Sequence, residues 1–108
     1  MDDFRIIYKI LKILQRSMDL EAFDHASISA KALGLSVPKW SRIMAMLLNE
    51  GYMSGGEIWN AMECGYPRVA LTRPELTLKG LEYLEENSLM RKAADLAKGI
   101  IDTAANAI

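Results

Sequence analysis

The sequence predicts a mainly α-helical domain with one small β-hairpin, an α+β arrangement. Three observations predict it. Two short helical segments are joined by a glycine turn, the periodicity changes to that of strands after Gly51, and helical periodicity returns after Pro74. Helices, hairpin and helices in this order are typical of a winged helix-turn-helix with an extra C-terminal helix.

The first segment, from Asp3 to Met18, has apolar residues at three- and four-residue spacing, which predicts a helix. Its apolar residues form two neighbouring stripes, one of them consisting of Ile6, Ile10 and Ile13. Together the stripes cover roughly 200° of the helix, about twice what a helix on the surface of one core needs. We therefore expect this helix to be covered on two sides.

A helix-turn-helix pair is predicted next. A short helix from Ile28 to Leu33 ends at Gly34, a residue that readily adopts the left-handed conformation of a helix C-terminus. Ser36 is a good N-cap for a third helix, which Gly51 ends. The predicted buried face of this third helix consists of Trp40, Ile43, Met44, Leu47 and Leu48.

The hairpin is predicted from strands at 52–59 and 68–72, with turn-forming residues between them. The pair Gly55–Gly56 inside the first strand indicates either a bulge or a frayed start of the strand. Trp59 and Tyr66 flank the loop, and we expect them to pair across it.

The chain after the hairpin is predicted to form two helices. Pro74 is expected to end the second strand, Thr77 to cap a helix that runs to Asn87, and Leu89 to begin a last, alanine-rich helix. The sequence therefore predicts a single domain over 1–108, with a core at 1–88 and an additional helix at 89–108.

Composition and charge exclude several classes of function. The net charge is −1, with seven Lys/Arg against six Asp/Glu in the first fifty residues and six against eight in the rest, so the sequence lacks the basic excess of most nucleic-acid binders. One cysteine and one histidine, Cys64 and His25, predict neither a disulfide nor a metal site. An acidic start and the absence of a long apolar run predict a cytoplasmic protein without a membrane span, and no cofactor or small-molecule ligand is indicated.

The segments around the hairpin resemble the YjcQ-like family, which comprises small bacterial and prophage-borne proteins of winged-helix fold. The resemblance is densest between Glu50 and Asn87, and it extends from the first helix to about Leu96. It implies the fold and a phage-related setting, and it supplies no catalytic residues. The residues that carry it are Glu50-Gly51-Tyr52, Pro67-Arg68, Pro74-Glu75-Leu76-Thr77, Lys79-Gly80, Tyr83-Leu84 and Glu86-Asn87.

Double-stranded DNA is the first partner to consider, because the second helix of a helix-turn-helix enters the major groove. The predicted exposed face of the third helix carries polar residues that could contact phosphates or base edges, and the hairpin adds a cation. Ala45 and Met46 on the same face favour the alternative, a protein-interaction module without DNA binding. The candidate DNA-contacting residues are Lys39, Ser41, Arg42, Asn49 and Arg68.

A homodimer through the terminal helices is the second expected association, since both helices carry apolar stripes and a twofold pair would place two wings symmetrically. The alternative is that the stripes cover each other within one chain. The candidate interface residues are Ile6, Ile10, Ile13, Ile100 and Ala104.

No catalytic site is predicted. Glu85 and Glu86 are adjacent and therefore point in different directions on a helix. His25 beside Asp24 is a common surface feature, and nothing in the sequence around Cys64 marks it as a reactive thiol. We therefore expect a binding protein and not an enzyme.

Overall fold

A computed structural model gives the structure of residues 3–98, with side chains as far as residue 88. It confirms the predicted mainly helical fold with one two-stranded antiparallel hairpin followed by a helix. The elements are α1 (Asp3–Arg16), α2 (Ala30–Leu33), α3 (Val37–Asn49), β1 (Met53–Trp59), β2 (Arg68–Leu76) and α4 (Leu78–Lys98). Two short 3₁₀ helices, Ser17–Asp19 and His25–Ile28, lie between α1 and α2.

The core forms where α1 packs between α4, β2 and the 3₁₀ helix at His25–Ile28, so the prediction that α1 is covered on two sides is confirmed. Trp40 packs against this core, and its indole Nε1 donates a hydrogen bond to the carbonyl oxygen of Ile28 at 2.7 Å. The buried residues of the core are Ile6, Ile10, Leu11, Leu14, Ile28, Leu33, Ile43, Met44, Leu47, Met53 and Leu84.

The helix predicted at 28–33 is shorter than expected. Ser29 has an extended backbone, with φ −71° and ψ 159°, and its side chain accepts a hydrogen bond from the amide of Ala32. Ser29 is therefore the N-cap of α2, and the residues before it form a separate 3₁₀ turn that Asp24 caps in the same way.

The second strand continues through Pro74, so the prediction that Pro74 ends it was wrong. The register shifts between Ser54, which pairs with Glu75, and Gly56, which pairs with Leu71. Three residues of β2 therefore lie opposite the single residue Gly55, and the strand hydrogen bonding is interrupted there. Because Pro74 lies in this irregular stretch, its missing N–H removes no regular ladder hydrogen bond.

The two helices predicted after the hairpin are one continuous helix, α4. The break expected at Asn87 does not occur: Asn87 lies inside α4, and its side chain donates to the carbonyl oxygen of Tyr83 at 2.8 Å, four residues earlier in the same helix. The helix continues across the proposed boundary between 88 and 89. The part of the predicted last helix beyond residue 98 lies outside the described residues.

The start of α4 is joined to the turn after α3. The hydroxyl of Thr77 donates to the carbonyl oxygen of Gly51 and accepts from the amide of Gly80 at 3.0 Å. The ammonium group of Lys79 donates to the carbonyl oxygen of Glu50 at 2.9 Å and lies 5.1 Å from the centre of the Tyr52 ring. These contacts fix how the last helix leaves the hairpin.

Replacing Gly80 with alanine is expected to lower the free energy of unfolding by about 1–3 kcal/mol. Alanine normally stabilises a helix by up to about 1 kcal/mol over glycine, but here its Cβ would overlap with the backbone carbonyl oxygen of Tyr52. Urea unfolding measures the change. Lys9→Ala, at an exposed helical position of α1, is the control and should be close to neutral. A stabilised Gly80→Ala variant would contradict this packing.

Candidate functional site

The third helix is placed by the helix-turn-helix junction that the sequence predicts. Gly34 adopts φ +70° at the end of α2, and the side chain of Ser36 accepts a hydrogen bond from the amide of Lys39 at 3.3 Å. Both the left-handed glycine and the N-cap are confirmed. They set the direction in which α3 crosses the domain.

The outer face of α3 is narrower than predicted. Lys39, Arg42 and Asn49 are exposed as expected, and Met46 between them is 51 % exposed. Ser41, which was expected to contact DNA, is only 3 % exposed, so this prediction was wrong.

Ser41 is buried because α3 is covered on a second side. Spacings of four and three residues place Ser41, Ala45 and Leu48 on the same side of α3. On this side, Leu48 lies against Gly56 of β1. Ala45 is also buried, at 6 % exposure. Two small residues spaced four apart, in line with a leucine, are the signal in the sequence for this second packed side.

Arg42 connects α3 to the hairpin. Its guanidinium group donates a hydrogen bond to the carbonyl oxygen of Gly65 in the hairpin loop, with 3.1 Å between nitrogen and oxygen. Arg42 is exposed, and a guanidinium carries five N–H donors. The group therefore holds the loop beside α3 and keeps donors for an external acceptor.

Lys39 forms an ion pair that sequence reasoning missed. Its Nζ lies 2.7 Å from Oδ1 of Asp3 at the start of α1, and the two side chains are 45 % and 58 % exposed. An exposed pair of this kind contributes only about 0–1 kcal/mol. Asp3 lowers the positive potential at this end of α3 but does not bury the ammonium group.

The outer face of the hairpin carries Arg68 and Trp59, which are directly opposed in the strand register. Opposed residues project from the same side of a hairpin, and both side chains are exposed. The expected pairing of Trp59 with Tyr66 was therefore wrong, because Arg68 occupies the position across from Trp59. A side-chain hydrogen bond with Cys64 raises the pKa of Tyr66 above its ordinary value.

The residues predicted for a dimer interface lie in different environments. Ile6 and Ile10 are 2 % and 0 % exposed inside the core of their own chain, so they present no surface to a second copy, and their assignment to an interface was wrong. Ile13 is partly buried and packs against the same core. Ile100 and Ala104 lie outside the described residues.

The remaining polar residues do not assemble into a cluster with recognisable chemistry. Nε2 of His25 lies 3.3 Å from the carbonyl oxygen of Thr72, and its ring contacts Phe23 edge-on, with 5.5 Å between ring centres. Among the side chains that the structure describes, at residues 3–88, no group of three His, Cys, Asp or Glu is placed to hold a metal ion. No helix within residues 3–98 is long and apolar enough to cross a bilayer.

Comparison with known proteins gives one match. A family model described as YjcQ protein matches residues 8–103, from α1 through the helix-turn-helix and the hairpin into α4. No curated protein and no solved structure matches the chain. The family model covers most of the chain, including the segment between Glu50 and Asn87 that carries the resemblance noted above, and the chain therefore belongs to the YjcQ protein family.

Proposed function

We propose that this chain is a non-enzymatic, cytoplasmic protein of phage-related setting that binds double-stranded DNA through α3 and the hairpin, in a regulatory role. The observation that carries the proposal is the hydrogen bond from Arg42 to the loop carbonyl of Gly65. It joins the exposed polar face of α3 to the loop that precedes Arg68. A helix and a wing held together in this way could contact a groove and its flanking phosphates at the same time.

The charge of the surface predicts a modest affinity. Lys39, Arg42 and Arg68 are the exposed cations of the proposed interface, and the whole chain carries a net charge of −1. If these three side chains neutralise about three phosphates, the affinity should fall roughly 40-fold when the salt concentration rises from about 50 to 200 mM. Binding would then depend strongly on local contacts, because the net charge offers no general attraction.

Fluorescence anisotropy of a labelled random duplex, titrated with the protein at both salt concentrations, tests the proposal. Arg42→Glu is expected to remove most of the binding. Asp3→Asn is expected to tighten it, because it releases Lys39 from its ion pair. Lys9→Glu makes the same kind of charge reversal at an exposed position of α1 and is the matched control. Absence of binding at about 50 mM salt, or an equal loss in the Lys9 variant, would refute binding through this face.

A protein-interaction module is the second candidate, and the exposure of Met46 favours it. A half-exposed methionine at the centre of the outer face of α3 is unusual for a surface that meets a polar groove, and methionine is common at adaptable protein-binding surfaces. Met46→Lys separates the two candidates. It adds a cation to the face and should strengthen duplex binding if α3 contacts DNA, whereas a chain that binds only protein would bind the duplex neither before nor after the change.

A further inference from the structure

An open groove runs between α1 and α4. Tyr8 and Lys12 line it from α1, and Leu81, Glu85 and Ser88 line it from α4, around a volume of about 290 Å³. Leu78 at one end is 73 % exposed. The groove therefore combines exposed leucine surface with charged groups along its rim, as a site for an amphipathic helix does.

The two halves of α4 carry opposite charge. Residues 78–88 contain one lysine and three glutamates, Lys79, Glu82, Glu85 and Glu86, for a net charge of −2. Residues 89–98 contain two lysines, one arginine and one aspartate, for a net charge of +2. Such a helix complements a second copy of itself in the antiparallel orientation and repels it in the parallel one.

The three glutamates have no cation partner within the part of the chain that the structure describes. Lys79, one turn before Glu82 in the same helix, donates instead to the carbonyl oxygen of Glu50, and Lys12, which lines the groove with Glu82 and Glu85, forms no ion pair with them. Glu82 and Glu86 lie four residues apart on the helix, where like charges destabilise it. Cations from outside the chain would relieve this repulsion.

We propose that the groove between α1 and α4 binds α4 of a second copy, with the acidic half of each α4 against the basic half of the other. A twofold pair of this kind uses the charge complementarity twice, because each copy supplies both an acidic and a basic half. The sequence of the basic half also has Leu89, Ala93 and Leu96 at helical spacing, a pattern that predicts an apolar stripe. This proposal does not depend on DNA binding.

Sedimentation velocity of the full chain, over a range of protein concentrations, tests the proposal. The wild-type chain should shift from the mass of one chain to that of two. Glu82→Lys with Glu85→Lys, or Arg91→Glu with Lys92→Glu, should each raise the dimer dissociation constant about tenfold or more, since every contact turns from attractive to repulsive on both sides of the twofold axis. Circular dichroism of each variant checks that the helices remain folded.

Mixing the two variants provides the decisive measurement. An α4 that is basic throughout should pair with one that is acidic throughout. The equimolar mixture should therefore form a heterodimer at a concentration at which each variant alone is mainly monomeric. The chain that carries all four substitutions should again form a homodimer. A wild-type chain that stays monomeric at about 100 μM, or variants that dimerise as well as the wild type, would overturn the proposal.

Discussion

Replacing Gly55 with alanine is expected to lower the free energy of unfolding by about 2–5 kcal/mol, the sum of a left-handed backbone and an overlapping side chain. Gly55 has φ +87°, which residues with a side chain rarely adopt, and an added Cβ would overlap with the backbone carbonyl oxygen of Arg73. Neither strand can yield easily, because Gly55 is the single residue opposite the irregular stretch of β2. Chemical denaturation with urea measures the loss directly.

Gly65→Ala is the matched control for this experiment. It introduces the same methyl group in the same hairpin, but no atom lies within 4 Å of the new Cβ and its φ is not positive. Its stability should stay within about 0.5 kcal/mol of the wild type. Equal effects of the two substitutions would show that the bulge at Gly55 does not constrain the hairpin.

Truncation of Met44 to alanine is expected to destabilise the protein by about 2–5 kcal/mol, since the side chain is fully buried and its removal leaves a cavity in the core. This is a large part of the roughly 5–15 kcal/mol by which a domain of this size is stable. The variant should therefore unfold at a lower temperature and at a lower urea concentration than the wild-type protein.

The same substitution at Met62 isolates the effect of burial. Met62 lies in the hairpin loop and is fully exposed, with a relative accessibility of 103 %. Met62→Ala should change the free energy of unfolding by less than about 0.5 kcal/mol. A loss at Met62 as large as that at Met44 would mean that the loop, and not only the core, holds the fold together.

Local signals in the sequence predict the fold well. Gly34 and Ser36 have the conformation and the hydrogen bond that their residue types favour, and of the two features that Gly55–Gly56 indicates, a bulge or a frayed start, the strands contain a bulge. The features at Gly34 and Ser36 depend on groups only a few residues apart. Backbone sterics and side-chain-to-backbone hydrogen bonds are sufficient to specify them.

The errors concern contacts between distant segments. Periodicity does not reveal how α3 packs against other elements. This packing determines the burial of Ser41, the ion pair of Lys39 with Asp3 and the hydrogen bond from Arg42 to Gly65. Asn87 is an error of another kind. Asparagine often ends helices by bonding to nearby backbone, and here the same capacity is used inside the helix.

For the candidate site, the exposure of Lys39, Arg42 and Asn49 was predicted, that of Ser41 was wrong, and the contacts of these side chains were not predicted. Periodicity identified the exposed polar residues of α3, yet it could not show that one cation is paired with a carboxylate from α1 and that another holds the hairpin loop. For the proposed dimer, the charge asymmetry of α4 could be recognised only when the structure showed one continuous helix in place of two.

The attachment of Thr77 and Lys79 to the turn at 50–52 has a consequence for local opening. The last turn of α3 and the first turn of α4 share these hydrogen bonds, so neither end can fray without releasing the other. We therefore expect the two helix ends to open together, so that their backbone amides exchange with solvent at a similar opening free energy. A ligand that binds to either helix would slow exchange in both.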